Sequence, residues 1–287
     1  MQFWNPFRLR PFQATQPGFL KSSLCTQAQL ESECFQNWAV RMGLGKLHLH
    51  RKIWEYCFIT QALYERDLLR PGKQGLGFAV GQEPLVSLFA SLGCQILATD
   101  LDTEKAQSGG LVDWVNSNQH AQELADLNQQ GICPEAEFRE RVSFRFVDMR
   151  AIPPDLGQFD FIWSSCALEH LGTLELGEKF IFDSLHHLKA GGIAVHTTEY
   201  NLSSNRQTVV AGANVIYRKR DIQGLAKQLR QAGHHVQLDF THNTGWADRE
   251  VDQLPYKQDI HLRLALEGFV ATSFGWLIQK SSQIDKA

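Results

Sequence analysis

The spacing of apolar residues changes period along this chain, and each change predicts an element. Between Leu47 and Leu69 the period is helical: Ile53, Tyr56, Cys57, Ala62, Leu63 and Leu69 form one stripe, with Arg51, Lys52, Glu65 and Arg66 between them, until Pro71 and Gly72 end the helix. VSFRFVD at 142–148 alternates instead, setting Val142, Phe144 and Phe146 against Ser143 and Arg145, and predicts a strand closing on Asp148. FDFIWSSC at 159–166 and IAVHTTEY at 193–200 are apolar runs of strand length. A helix over 176–188 separates them and is stopped by Lys189, Ala190, Gly191 and Gly192. Another helix is predicted over 221–233, capped by Asp221 and ended by Gly233, before a strand at 235–240. FVATSFGWLIQ at 269–279 predicts a last apolar strand beside it.

From Gln74 to Asp102 the chain reads as a glycine-bearing strand, a tight turn, an amphipathic helix and a second strand that ends on acids. Strands alternating with helices in this way imply an α/β protein with a mainly parallel sheet. Residues 103–140 are polar with helical tendency and hold Trp114, Asn118, Gln119 and His120. Pro6, Pro11 and Pro17 make residues 1–20 an irregular arm. The expected organisation is an arm and helical extension over 1–70, then one α/β domain over 71–287 with a polar insert at 241–262. Long inserts near the end of a sheet often shape a substrate site.

Composition narrows the class. With 287 residues, 43% of them hydrophobic, the chain can bury a sizeable core. A net charge of −3 without any basic run gives no footprint for nucleic acid, so none is expected as partner. The first twenty residues hold no continuous apolar stretch of the secretory kind, and no segment approaches the roughly 18 apolar residues of a membrane span. Six scattered cysteines without a C-x-x-C pair point to reduced thiols. A cytoplasmic protein without membrane attachment is the expectation. The histidine pairs His48/His50, His186/His187 and His234/His235 lack a converging acid set, so no metal site is expected.

Glycines that let backbone N–H groups approach a ligand, followed about 20 residues later by a carboxylate able to accept ribose hydroxyls, imply a cofactor carrying adenosine. Gly75, Gly77 and Gly81 are present, but the phosphate-gripping G-x-G-x-x-G is not, because Glu83 and Pro84 follow. Pro84 suits a first helical turn and Glu83 suits the positive helix end. A carboxylate there repels a pyrophosphate but can pair with the ammonium or sulfonium of S-adenosylmethionine; Glu83 as a simple helix cap is the other reading.

GFAVGQEP, ATDLD, RFVDM, FDFIWSSCALEHL and LHHLKAGGIAVHTTEYN, in this order and spacing, make residues 74–201 resemble the class I S-adenosylmethionine-dependent methyltransferases. The resemblance implies a Rossmann-like, doubly wound and mainly parallel sheet, helices on both faces and an antiparallel last strand. It implies S-adenosyl-L-methionine as cofactor and a small-molecule acceptor, with the carboxyl-terminal part pointing toward a sugar or surface-glycan precursor. The turn would be Gly77, Ala79 and Gly81, departing from the family where Gly77 replaces an acid and Ala79 and Glu83 replace glycines. Glu83 would substitute for the carboxylate that meets the methionine ammonium. Asp100, with Leu101 beside it and Asp102 in reserve, would bind the ribose. Asp148 and Met149 would meet the adenine, and Ser165, between Ser164 and Cys166, the methionine part.

For a proton-accepting group the ends of the fourth and fifth strands offer Glu169, His170, His196 and Glu199. His170 leads because histidine titrates near neutrality, Glu199 follows as base or acceptor-orienting group, and His196 sits where a packed residue is expected. Trp54 and Glu55 put the helix before the glycine turn in contention as a lid, with Trp54 read first as a core anchor. Trp246, Tyr256, Asp259 and His261 offer an acceptor wall. Two other functions stay open: a noncatalytic binding or scaffold protein on a cofactor fold, and a nicotinamide-dependent oxidoreductase.

Overall fold

The computed structural model describes residues 20–45, 49–102 and 120–282. The expected arm, and Trp114, Asn118 and Gln119 of the polar segment, lie outside the described residues. One large sheet organises the rest. Strands β3 (Gln74–Gly77), β4 (Gln95–Asp100), β5 (Val142–Phe146), β6 (Phe159–Ser164) and β7 (Leu188–Asn201) run parallel in the order β5-β4-β3-β6-β7. The last strand, β12 (Phe269–Gln279), pairs antiparallel with β7, Trp276 opposite His196. This is a Rossmann-like doubly wound sheet with an antiparallel strand, as expected.

The outer side of β12 is shared. β1 (Ser22–Leu24) pairs with it at Ser23 and Gly275, and β8 (His235–Val236) at Val236 and Ile278. β9 (Leu238–Asp239) then pairs with β1, and in a separate small sheet β2 (Leu49–His50) pairs in parallel with β10 (Ile260–His261). The amino-terminal part is therefore not helical throughout; it contributes a strand. A hairpin joins β11 (Leu264–Leu266) to β12 through Glu267 and Gly268, both at positive φ, as a two-residue turn between twisted strands requires.

Period-2 alternation divides the strands between two cores. Phe161, Trp163, Ile96, Ala98 and Leu277 face helices α2 (Glu33–Arg41), α3 (Arg51–Tyr64) and α4 (Leu85–Ser91). Leu76, Phe78, Ile162, Ala194, Phe274 and Trp276 face α6 (Leu174–Leu185) and α7 (Lys219–Gln231) across the other side, while α5 (Glu135–Arg141) leads into β5. The predicted helix stop at 189–192 is corrected: α6 ends at Leu185, and these residues lie inside β7. Phe159 pairs with Leu188 but Phe161 with Ile193, so the extra residues, Gly191 at φ +76 among them, are absorbed by a register shift in the strand.

Helix α3 is buried on nearly every side, because α1 (Gln27–Leu30) and α2 cover one face and the sheet the other. Trp54 anchors it, stacking on Phe58 and donating to the Gln29 side chain at 2.8 Å. Phe58 reaches the sheet at Gly275, where an added Cβ would lie 2.3 Å from the ring. Gly275→Ala is expected to destabilise the protein by about 1–3 kcal/mol, the usual range for overpacking. Urea unfolding measures this; a loss below about 0.5 kcal/mol would mean that α3 does not press on β12.

Candidate functional site

The sheet reverses its winding between β3 and β6, and loops leaving those two strands part there to open a crevice at their carboxyl ends. A cavity of about 730 Å³ occupies this place. Of the residues expected to bind or react, Ala79, Gly81, Glu83, Asp100, Leu101, Asp148, Met149, Ser165, His170 and Glu199 all line it. Gly77 does not. Its missing Cβ makes room for the Trp163 ring, which an added methyl would meet at 2.5 Å, so this glycine serves packing beneath the turn.

The turn itself is held from below. Phe78 N–H donates to the Trp163 carbonyl and Val80 N–H to that of Thr99, tying the loop to β6 and β4. Ala79 at φ +47 and Gly81 at φ +52 then fold the backbone tightly, a conformation that costs Ala79 more than it would a glycine. Asp100 locks the arrangement: its buried carboxylate accepts from the N–H groups of Gly81 at 3.0 Å, Leu101 at 2.7 Å and Ala121 at 2.9 Å. Burial raises its pKa to about 6 against the pull of those three amides. Three acceptor positions of Asp100 thus go to backbone. Asp148 is likewise engaged, in a bidentate pair with Arg150 (2.8–3.2 Å), while Met149 is buried beside it.

The first turn of α3 supplies charge. Glu55, fully buried, accepts from Ser165 at 3.1 Å and from Cys166 and Ser273, and pairs with Arg51 and Lys52, each at 3.3 Å. Burial alone would raise its pKa, but Lys52 and Arg51 bring it down to about 2. Lys52 also faces Glu83 at 3.6 Å, and Arg51 reaches Glu199 at 2.5 Å. Glu83 Oε2 is buried without a hydrogen-bond partner, and burial together with the nearby Glu55 pushes this carboxyl up to about 8 despite Lys52. Glu83 makes no side-chain cap on α4, whose cap position is Pro84.

The opposite end of the cavity gathers Glu169, His170 and Glu199 with Tyr256, His261, Leu264 and Leu266. Glu169 accepts from Thr198 at 3.1 Å through Oε2; its Oε1, like Oε2 of Glu199, is buried and unpartnered. Burial and the neighbouring Glu169 raise Glu199 to about 7 against the opposing pull of Arg51. Donor atoms of Cys166, Glu169 and Glu199 lie within 4.8 Å of one another, a grouping that no histidine pair in the sequence marks. His170 faces the Ala213 carbonyl through Nδ1 at 2.9 Å. His261 bonds Asp252 at 2.7 Å through Nδ1 and stacks on His50. His196 is packed, as expected: buried, bonded to Ser164 at 2.8 Å, and lowered by burial to about 3.

Arg51 and Lys52 are the participants that sequence reasoning missed, since they read as the solvated face of an amphipathic helix. The available signal was their spacing, three and four residues ahead of Glu55 on one helix face. All six cysteines are free, and among the described residues no helix is long and apolar enough to cross a membrane.

No family model and no curated protein matches the chain. Solved structures do. The [4+2]-cyclase SpnF is similar over 92% of this chain and 100% of its own, at 16% identity and a TM-score of 0.51. Magnesium protoporphyrin IX methyltransferase from Synechocystis PCC 6803, solved with bound S-adenosylmethionine, is 12% identical over 88% of this chain and 94% of its own, with a TM-score of 0.45. The glycopeptide N-methyltransferase MtfA, complexed with sinefungin, is 13% identical over 79% and 86%, with a TM-score of 0.46. At such identities the likeness concerns the fold alone.

Removing the central carboxylate tests the charge cluster. Glu55→Ala leaves Arg51 and Lys52 short of a buried partner and is expected to cost about 3–5 kcal/mol at pH 7. Because the folded pKa is depressed, the contribution of Glu55 is complete above its ordinary value of 4.5 and fades as pH falls toward about 2. Denaturant unfolding of parent and variant should therefore converge in acid; a gap unchanged between pH 7 and pH 3 would contradict the assignment.

Proposed function

We propose that this protein is a methyltransferase that uses S-adenosyl-L-methionine to methylate a small-molecule acceptor. The buried, unpartnered Oε2 of Glu83, a residue that lines the cavity beside the glycine turn, carries the proposal. Such an oxygen calls for a cationic donor, and the amino group of the cofactor's methionine part is one. A dinucleotide would bring its pyrophosphate against this same carboxylate, which disfavours the oxidoreductase reading.

When bound, S-adenosylmethionine supplies a methyl group activated by a sulfonium. The chain's own residues then have distinct tasks. Ala79, Gly81, Leu101 and Met149 shape the nucleoside side, with Asp100, which fixes the turn through Gly81, at the ribose. Asp148 and Met149 border the adenine. Ser165, already bonded to Glu55, borders the methionine part near Glu83. Beyond it Glu199 and His170 stand at the acceptor side, Glu199 titrating near neutrality and so able to take a proton there. The sugar or glycan precursor suggested by the carboxyl-terminal resemblance belongs within the wider class of small acceptors.

A second reading has one observation in its favour. SpnF, named a cyclase, is similar in fold over its whole length, so this fold does not by itself require group transfer. Cofactor binding without formation of S-adenosylhomocysteine across a broad acceptor panel would favour that reading.

Calorimetry with S-adenosylmethionine, S-adenosylhomocysteine and nicotinamide dinucleotide tests the proposal: the first two should bind and the third should not. An ammonium beside Glu83 favours its charged form, so binding at pH 7 should release about one proton, and affinity should rise between pH 6 and pH 8. Glu83→Gln should abolish the proton release and weaken binding about tenfold or more. Titrations in buffers of different ionisation enthalpy read the proton directly, and an unchanged release in the variant would leave Glu83 outside the cofactor site.

A further inference from the structure

The acceptor end of the cavity has an unusual balance of charge. Glu169 and Glu199 stand side by side there, with carboxylate oxygens within 4.8 Å of one another, both buried, each spending one oxygen on a protein partner and keeping the other buried without one. Arg51 compensates Glu199 through Oε1, and Lys52 is committed to Glu55 and Glu83, so carboxylates outnumber cations around the cavity. Two bare carboxylate oxygens held close together in a low-dielectric place attract a hydrogen-bond-donating cation. A hydroxyl has one proton to offer and cannot satisfy both; an ammonium can.

We infer that Glu169 and Glu199 form an ammonium clamp, and that the acceptor is a primary or secondary amine carried on an apolar body. The body is indicated by apolar lining: Leu264, Leu266 and Tyr256, which pack in one cluster, border the cavity together with Leu171. A divalent metal fits less well. The third donor of the group, Cys166, is a thiol whose ionisation is opposed by burial and by Glu169 and Glu55, and whose sulfur already contacts Glu55 at 3.1 Å and Arg51 at 3.4 Å. An organic ammonium needs no thiolate.

The inference rests on the methyltransferase reading for its chemistry. The bound ammonium passes one proton to Glu199 or Glu169, and the freed nitrogen lone pair forms the new N–C bond to the methyl carbon. The C–S bond breaks with its electron pair going to sulfur, which leaves as the neutral thioether of S-adenosylhomocysteine. The product nitrogen keeps its positive charge until a second proton is lost to solvent. The clamp thus holds the charged amine first and then accepts the proton that must leave before nitrogen can react.

The clamp can be tested without knowing the natural acceptor. Benzylamine and benzyl alcohol, which share the ring and differ at the reacting atom, are titrated into the protein by calorimetry at pH 7, with and without saturating S-adenosylhomocysteine. Benzylamine is expected to bind about ten- to a hundredfold more tightly than the alcohol, as hydrogen bonds to charged groups allow. Glu169→Gln and Glu199→Gln should each cut that preference severalfold or more while leaving the weak affinity for the alcohol unchanged. Glu199→Gln also loses an ion pair to Arg51, so thermal melting accompanies both variants, and Glu169→Gln, which keeps that pair, stands alone if the other unfolds. Equal affinity for the two probes, no binding of the amine, or a preference that survives both substitutions would overturn the clamp. Failure of S-adenosylhomocysteine to bind would instead sink the cofactor reading, and the titrations without it would still decide whether the ammonium site exists.

Discussion

Burial of charge at the first turn of α3 is the constraint on which the rest of the site depends. Glu55 lies under Arg51 and Lys52 on its own helix and accepts from Ser165 and Cys166 after β6 and from Ser273 on β12. One carboxylate therefore fastens a helix from the amino-terminal segment to two strands that are distant in sequence. Leaving any of these charges without its partner inside the protein would cost several kcal/mol, so the helix, the loop after β6 and the last strand hold one arrangement. Arg51 and Lys52, fixed in this way, then set the charge that Glu199 and Glu83 experience.

The layered fold was legible in the sequence because hydrophobic periodicity encodes it. β6 and β12 occupy, to within two residues, the runs that their apolar pattern marked. What escaped was non-local. Gly191 and Gly192 carry the signature of a helix stop, yet pairing with β6 draws them into β7, and only the partner strand decides between these outcomes. β1 is three residues long, too short to show a period, and exists because β12 offers it an edge. The α3 helix was visible, but its full burial was not: Arg51 and Lys52 look solvated until Glu55, Glu83 and Glu199 are brought to them.

The candidate site shows the same division. Residues at strand ends, such as Asp100, Asp148 and Glu199, were placed by position alone, since parallel strands deliver their carboxyl ends to one crevice. Their hydrogen-bond partners were not readable. Asp100, expected at the ribose, also accepts from three backbone amides, and Asp148, expected at the adenine, also pairs with Arg150. The glycine turn explains the first difference. With Ala79 at positive φ, the backbone bears strain that a glycine would not, and the Asp100 contact to Gly81 supplies a local tie that holds the loop closed.

Taken together, the raised carboxyls give this cavity a direction. Asp100 near 6, Glu199 near 7 and Glu83 near 8 are all displaced upward by burial, so each favours the folded state in its neutral form and costs the protein stability as pH rises through these values. At neutral pH Glu83 is therefore largely protonated and Glu199 partly so, and a ligand bringing positive charge to Glu83 and to the Glu169–Glu199 pair would draw them into the charged form as it binds. S-adenosylmethionine and an amine would do so from the two ends. Binding and charge compensation would then be a single event.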